Sequence, residues 1–151
     1  MGLAKLNELY KTVIIDHAQF PRHKGELADP TGEKRLKNPT CGDVIKVSVV
    51  VKDGQINDVA FDGSGCTISQ ASASLMTTVL IGKDVKTARK LILAFSKLIS
   101  GDEIDDEDEE LLGDAAIVGT VAEFPTRIKC AALAWHAMDE VLNEEGSGAS
   151  D

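Results

Sequence analysis

The chain contains three cysteines, and each is predicted to lie at the end of a secondary-structure element. Cys41 is in a turn with Pro and Gly, Cys66 follows the Gly-Ser-Gly segment 63–65 at the start of a helix, and Cys130 is in the first turns of the last helix. A helix N-terminus and neighbouring cations stabilise a thiolate. Because an odd number of cysteines cannot all pair within one chain, the three side chains are interpreted as packed small residues, metal ligands or reactive thiols.

An aspartate extends this set, because Asp43 stands two residues after Cys41, a spacing that lets both side chains reach one centre. Zinc takes four ligands from thiolate, imidazole and carboxylate groups. Cys41, Asp43, Cys66 and Cys130 would therefore supply a tetrahedral set. Their wide separation in the sequence specifies no local site, so spacing alone leaves zinc binding and packed thiols both open. The histidines are interpreted as structural residues rather than ligands: His17, His23 and His136.

A sheet is needed to position such a set, and the strongest strand pattern lies just after the first cysteine. Alternate residues are apolar over 45–51, which predicts a strand with one buried face. Residues 53–54, Asp-Gly, predict a tight hairpin turn. The return strand is predicted over 55–62, with a bulge at Ile56 because that residue is out of phase. A further short strand is predicted near 34–37.

Apolar residues at three- and four-residue steps predict the helices. Three of the predicted helices cover residues 3–17, 67–81 and 125–143. Another lies between Asp84, which caps its start, and Gly101, which ends it. Residues 111–124 are compatible with either a short helix or an ordered loop. The predicted fold class is α+β, a small antiparallel three-stranded sheet covered by about four to five helices. We expect a single domain over residues 1–145 and a disordered tail over 146–151.

The composition excludes several classes of function. The 151 residues include 16 basic and 25 acidic side chains, a net charge of −9 that argues against a nucleic-acid partner. No apolar stretch approaches the roughly 20 residues that span a bilayer, and the N-terminus has charges where a signal peptide needs an apolar run. We therefore expect a cytoplasmic protein with no membrane partner. The acidic run over 102–110 is either a solvated loop or an electrostatic contact with a basic patch on a partner.

Four segments of the sequence carry a family resemblance. They are Leu9-Tyr10 through Asp16-His17 and Pro21-Arg22, then Asn38-Pro39-Thr40-Cys41-Gly42-Asp43, Gly63-Ser64-Gly65-Cys66-Thr67-Ile68-Ser69, and Arg127-Ile128-Lys129-Cys130. Through them the chain resembles the IscU-like iron–sulfur cluster assembly proteins, and within these the SufU-type branch. The three cysteine motifs in this order are highly specific together, and the resemblance covers about residues 6–142. It implies an IscU-like fold.

The resemblance also implies a zinc-dependent sulfur carrier. One zinc per chain would be held by Cys41, Asp43, Cys66 and Cys130. A cysteine desulfurase of the SufS type, which is a pyridoxal-phosphate enzyme, would pass persulfide sulfur to Cys41, and the sulfur would continue to a downstream cluster-assembly scaffold. Arg127 stands where SufU-type sequences have an arginine and is assigned a part in this transfer. The protein would be a sulfurtransferase that carries a persulfide, not an enzyme acting on a small molecule.

Two features distinguish the chain from the scaffold type of this family. The scaffold type has a His immediately before its third Cys, where this chain has Lys129, and a Leu-Pro-Pro-Val-Lys motif where this chain has Phe-Pro-Thr at 124–126. The long segment between Cys66 and Cys130 resembles the insertion that marks the SufU-type branch. The alternative function is a scaffold on which a nascent iron–sulfur cluster is built on the same ligands. A third is a structural zinc domain that serves as an adaptor.

Overall fold

The computed structural model describes residues 3–39 and 42–150, with side chains described over 8–39 and 42–143. The described elements, in chain order, are α1 (Leu3–Gln19), β1 (Gly32–Asn38), β2 (Asp43–Lys52), β3 (Gln55–Ser64), α2 (Thr67–Leu80), α3 (Val85–Ile99), α4 (Asp106–Leu112), a 3₁₀ segment (Gly113–Glu123) and α5 (Pro125–Ser150). The predicted α+β class is confirmed. Within these ranges, no helix combines the length and apolar character needed to cross a membrane.

The three strands form one antiparallel sheet in the order β1-β2-β3. Ile45, Val47 and Val49 of β2 are buried, as the predicted alternation requires. Asp53 and the glycine after it both have positive φ, 54° and 76°, which suits the tight turn into β3. The pairing register shifts between Val50 and Val51, opposite Ile56. This irregularity is the predicted bulge, and it returns Ile56 to the core.

Helices α2 and α5 pack against the sheet, α2 on β3 and α5 on β1 and β2. Most of α2 is buried, because its small Ala and Ser side chains allow close packing. Phe95 of α3 and Trp135 of α5 stack with ring centroids 4.0 Å apart. The indole N–H of Trp135 donates to Ser72 Oγ at 3.0 Å, and that hydroxyl donates to the carbonyl of Ala131 at 2.6 Å. The core therefore contains a satisfied polar link between α2 and α5.

The region between α3 and α5 is helical: residues 113–123 form a short 3₁₀ helix, which corresponds to the helical one of the two forms predicted for residues 111–124. The acidic run is not wholly a solvated loop, because α4 begins at Asp106 and Asp108 is buried. Acidic residues in a first helical turn interact favourably with the helix dipole, which explains why so charged a segment is helical. The 3₁₀ segment that follows buries Ala115, Val118 and Val121. These residues recur every third position, which is the period of a 3₁₀ helix.

The last helix is longer than the sequence predicts. It runs to Ser150, whereas the pattern predicts an end near residue 143 and a disordered tail over 146–151. Glu144, Glu145 and Ala149 favour this extension, whereas Gly146 and Gly148 oppose it. The assignment to one domain over residues 1–145 stays a prediction.

Candidate metal centre

Asp43, Cys66 and Cys130 come together in the structure. One ligand atom from each, a carboxylate oxygen and two Sγ atoms, lies within 4.8 Å of the others. The three residues come from different elements: the first residue of β2, the N-cap of α2 and the second turn of α5. We call this set the Asp–Cys–Cys cluster. It forms only because the tertiary fold brings together residues that are far apart in the chain.

Asp43 is fully buried at the start of the central strand β2, where it pairs with Asn38 of β1. Its Oδ1 accepts the backbone N–H of Cys66 at 2.8 Å, and its Oδ2 lies 4.0 Å from Cys66 Sγ. A buried carboxylate is costly unless it is hydrogen-bonded and paired with positive charge. The hydrogen bond orients this carboxylate, and a bound cation would neutralise it.

Cys66 occupies the N-cap of α2, a position that Ser, Thr, Asp or Asn usually fill. Its Sγ accepts the backbone N–H of Ser69 at 3.4 Å, and Ser69 Oγ donates to the carbonyl of Cys66 at 2.9 Å. The sulfur therefore lies at the positive end of the helix dipole. Cys66 is partly exposed, so a second protein could reach it.

The residue before Cys66 must be a glycine. A Cβ at Gly65 would lie 2.5 Å from Asp43 Oδ1 and 2.6 Å from Ser69 Oγ, distances that no real Cβ tolerates. The Gly-Ser-Gly segment thus lets the Asp43 carboxylate approach the start of α2 closely. The sequence indicates a tight turn here but not this contact, because the contact is made with a different strand.

Cys130 is fully buried in α5. Asn38 Nδ2 lies 3.9 Å from its sulfur and donates towards it, so an amide and a thiol meet on the inner side of the cluster. Asn38 is itself 4% exposed, which makes this contact a buried one. Sequence analysis missed Asn38 as a neighbour of the centre, since its position before Pro39 reads only as the end of a strand.

The other predicted site residues fall in different places. Cys41 lies outside the described residues. Arg127 is an exposed residue in the first turn of α5, and its backbone N–H donates to the carbonyl of Phe124 at 2.8 Å. Burial raises the pKa of Tyr10 and the positive charge of Arg127 acts against this rise, which places the guanidinium within electrostatic range of that side chain. Lys129 is exposed on the same helix.

No histidine belongs to a metal-binding cluster in the part of the chain that the structure describes. His17 is buried, and its Nδ1 lies 2.7 Å from Ser74 Oγ, which also accepts the backbone N–H of Arg22 at 2.8 Å. Burial lowers the pKa of His17, and the charge of Arg22 acts in the same direction. His17 is therefore a neutral residue that ties α1 to α2, which agrees with its structural interpretation.

The donor set of the cluster fits zinc. Zinc binds thiolate at about 2.3 Å and carboxylate at about 2.0–2.2 Å, so ligand atoms of a tetrahedral site lie about 3.5–4 Å apart. The separations within the Asp–Cys–Cys cluster are close to that range. Two thiolates and one carboxylate carry three negative charges when ionised, of which a divalent cation would offset two. The cluster supplies three of the four ligands that a closed site needs.

Residues 9–131 match the family described as NifU-like N terminal domain. The chain is 45% identical over 147 residues to the iron–sulfur cluster assembly scaffold protein IscU of Streptococcus pyogenes serotype M1. That alignment covers 97% of this chain and 91% of the relative. The chain is 44% identical over 144 residues to the zinc-dependent sulfurtransferase SufU of Bacillus subtilis (strain 168), covering 95% of this chain and 96% of the relative.

A solved structure resembles the fold as well. It is a candidate iron–sulfur cluster assembly scaffold protein for the SUF system, from Fervidobacterium islandicum AW-1. The two structures superpose with a TM-score of 0.82 at 30% sequence identity, over 89% of this chain and 97% of the other. The similarity therefore extends over nearly the full length of both proteins.

Proposed function

The chain belongs to the family of NifU-like N-terminal domains, and we propose that it acts in iron–sulfur cluster assembly as a zinc-dependent sulfurtransferase. In this function it accepts persulfide sulfur from a cysteine desulfurase of the SufS type and relays it to a downstream scaffold. The observation that carries the proposal is the Asp–Cys–Cys cluster, with its ligand atoms within 4.8 Å of one another. Its donor set is one that zinc accepts, and a relative 44% identical is named a zinc-dependent sulfurtransferase.

In the proposed resting state, one zinc per chain is held by Asp43, Cys66, Cys130 and Cys41. Cys41 is the fourth ligand by resemblance, and it stands two residues before Asp43, so chain connectivity keeps it within reach of the cluster. Bound zinc would keep the thiolates ionised and protect them from oxidation. Cys66 and Cys130 are fixed by helices α2 and α5, which suits them to hold the metal rather than to move.

The transfer step in this proposal conserves charge and needs no external oxidant. The Cys41 thiolate attacks the outer sulfur of the persulfide on the desulfurase. A new S–S bond forms at Cys41 while the S–S bond of the donor breaks, and the donor cysteine leaves as a thiolate. Cys41 then carries the persulfide. Because the same number of S–S bonds is present before and after the step, the donor regains its reduced cysteine without a reductant.

Arg127 has a proposed part in this step, because its cationic side chain belongs to the same first turn of α5 that leads into Cys130. A guanidinium near the reacting sulfurs would favour the anionic persulfide and the departing thiolate. Arg127→Ala is therefore expected to slow sulfur uptake by about ten-fold or more, with zinc content and melting temperature unchanged. Lys129→Ala, which removes an exposed neighbouring cation, is the matched control. Normal uptake by the Arg127 variant would remove this residue from the mechanism.

The second candidate is a scaffold that builds a nascent iron–sulfur cluster on the same ligands. It is favoured by the name of the relative from Streptococcus pyogenes. Lys129 counts against it in this chain, because the scaffold type of the family has a His there. The two candidates differ in resting metal, since one holds zinc and the other an iron cluster.

The deciding experiment measures metal and sulfur in the same preparation. Protein purified without added zinc or iron is analysed for metal by mass spectrometry, then incubated with a SufS-type desulfurase and cysteine, alkylated and mapped. We expect one zinc per chain and added sulfur on Cys41 first, with no uptake by Cys41→Ala. A brown protein with a stable iron cluster would favour the scaffold function. Sulfur mainly on Cys66 or Cys130 would contradict the assignment of the carrier.

A further inference from the structure

Tyr10 is a buried polar residue that the proposed transfer does not use. The side chain is 9% exposed, and its hydroxyl is buried without a hydrogen-bond partner among the residues that the structure describes. Its ring stacks on Phe124, with centroids 6.4 Å apart and an interplanar angle of 26°. A buried hydroxyl without a partner destabilises the fold that contains it. Such a group calls for an explanation, and a ligand-facing role is one.

The packing of α1 on α2 brings Tyr10 alongside the start of α2. Tyr10, Ile14 and His17 are buried on one face of α1. His17 meets Ser74 at 2.7 Å, which fixes one end of the contact between the helices. Tyr10 lies about 10 Å back along α1 from His17, and Cys66 lies about 12 Å back along α2 from Ser74. Further along both segments, Thr77 Oγ1 donates to the carbonyl of Arg22 at 3.3 Å, so the chain runs past α2 in the same direction. The Tyr10 turn therefore lies towards the Cys66 end of α2, and Cys66 is among the groups that act electrostatically on Tyr10.

Electrostatics agree with this geometry. Burial raises the pKa of Tyr10, and besides burial the groups that act on it are Arg127, Cys66 and Cys130. Two of these are the sulfurs of the Asp–Cys–Cys cluster, and the third is the cation proposed to assist transfer. The Tyr10 hydroxyl therefore lies in the electrostatic environment of the centre.

A second residue on the same side shows the same unfilled bonding capacity. Gln70 lies one helical turn beyond Cys66, and both its amide nitrogen and its amide oxygen are buried without partners in the described part of the chain. Cys66, Gln70 and Ser74 are spaced by four residues, so they share the face of α2 that meets α1. Unpartnered polar atoms thus occur on both helices where these pack beside the cluster.

We propose that the Tyr10 hydroxyl donates a hydrogen bond to a sulfur anion of the metal-loaded centre, a metal-bound cysteine thiolate or, after transfer, the persulfide. A hydroxyl that donates to an anion makes a strong hydrogen bond, which offsets the cost of burying it. The ring stack on Phe124 holds the donor in place, and Gln70 offers a second donor from α2. The persulfide part of this inference rests on the proposed function, whereas the thiolate part depends only on the cluster.

The test uses Tyr10→Phe, which removes the hydroxyl and keeps the ring that stacks on Phe124. Two readouts report on sulfur: the sulfur-to-metal charge-transfer band of the Co²⁺-loaded protein, and the lifetime of the bound persulfide against a small thiol. We expect the band to move to longer wavelength and the lifetime to shorten by about three- to ten-fold, in line with the loss of one charge-assisted hydrogen bond. Gln70→Leu should give a smaller change in the same direction.

The melting temperature separates this role from a structural one. Because the hydroxyl has no partner in the fold, its removal should leave the melting temperature of the metal-free protein unchanged or raise it. Thr12→Val removes a hydroxyl from the exposed side of α1, where Oγ1 donates to the Glu8 carbonyl at 2.9 Å, and should change neither sulfur readout.

The proposal is overturned if Tyr10→Phe leaves both sulfur readouts unchanged, or if the melting temperature of the metal-free variant falls, because the hydroxyl would then have a structural partner. A change in either readout without loss of melting temperature supports it. If the wild-type protein accepts no sulfur at all, the proposed function fails, while the Co²⁺ spectrum still decides the role of Tyr10.

Discussion

Asp43 and Asp108 are both buried carboxylates, but they are buried against different partners. Asp108, in α4, pairs with Lys90 of α3 at 3.3 Å, and this contact raises the pKa of Lys90. Asp43 has two cysteine sulfurs and a backbone N–H around it instead. The first carboxylate has a lysine to offset its charge. The second is surrounded by groups that share its affinity for a metal cation, which is the arrangement expected of a binding site.

The largest expected effect comes from neutralising each carboxylate in turn. Asp43→Asn keeps an acceptor for the Cys66 N–H but removes the anionic ligand. Zinc affinity should fall by more than about 100-fold, because losing only a hydrogen-bond partner of a metal ligand already costs roughly 10–100-fold. The rise in melting temperature that zinc produces should be lost as well. Titration calorimetry and thermal unfolding with and without zinc measure both.

Asp108→Asn is the control for that comparison, since it removes the carboxylate paired with Lys90 and touches no proposed ligand. It should keep the zinc affinity and the zinc-induced rise in melting temperature. The distinction between the two carboxylates fails if Asp43→Asn retains wild-type zinc binding, or if the two variants lose it equally.

A smaller effect is expected from Gly65→Ala, which changes no ligand but crowds Asp43. The added Cβ would lie 2.5 Å from Asp43 Oδ1, so the carboxylate must shift. We expect about 1–3 kcal/mol of destabilisation and a zinc affinity about ten-fold lower. Gly119→Ala is the control, because its Cβ would meet Leu98 only at an ordinary 3.5 Å. Equal behaviour of the two variants in denaturant and zinc titrations would show that the approach of Asp43 is not tight.

The smallest effect is expected for the pH dependence of stability and concerns His17. Unlike the two buried carboxylates, this buried side chain is a neutral base. Its pKa is lowered in the folded protein, so the unfolded chain binds the proton more readily. Stability should therefore be intact above about pH 6.5, the ordinary value of histidine, and fall as the pH drops towards the folded pKa. Urea unfolding between pH 5 and 8 should show a steeper acid loss for the wild-type protein than for His17→Gln. His136→Gln, at an exposed position, should keep the wild-type slope.

Much of the sheet could be predicted because its information is local. A side-chain period of two identified β2, and the one residue out of phase, Ile56, marked the bulge. The N-cap of α3 was predicted from Asp84 in the same way, and the structure confirms it, since Asp84 accepts the Thr87 N–H at 3.2 Å. These features depend on neighbours in the chain and on burial of one face, and both leave a pattern in the sequence.

The candidate centre depended on information that is not local. Asp43, Cys66 and Cys130 were named from the sequence, but residue spacing alone could not show that they meet, because three separate elements bring them together. Tyr10 falls within the helix predicted over residues 3–17, where a tyrosine on a buried face looks like any core residue. Its unpartnered hydroxyl exists only once α1 is packed on α2.

The supply of ligands from β2, α2 and α5 has a kinetic consequence. Cys130 belongs to the last helix, so the centre closes a long chain loop and is complete only after α5 has docked on the sheet. We expect a centre that closes so long a loop to form after the folding transition state. A cation bound there should therefore leave the folding rate nearly unchanged and slow the unfolding rate, so that the metal lengthens the lifetime of the native protein without speeding its formation.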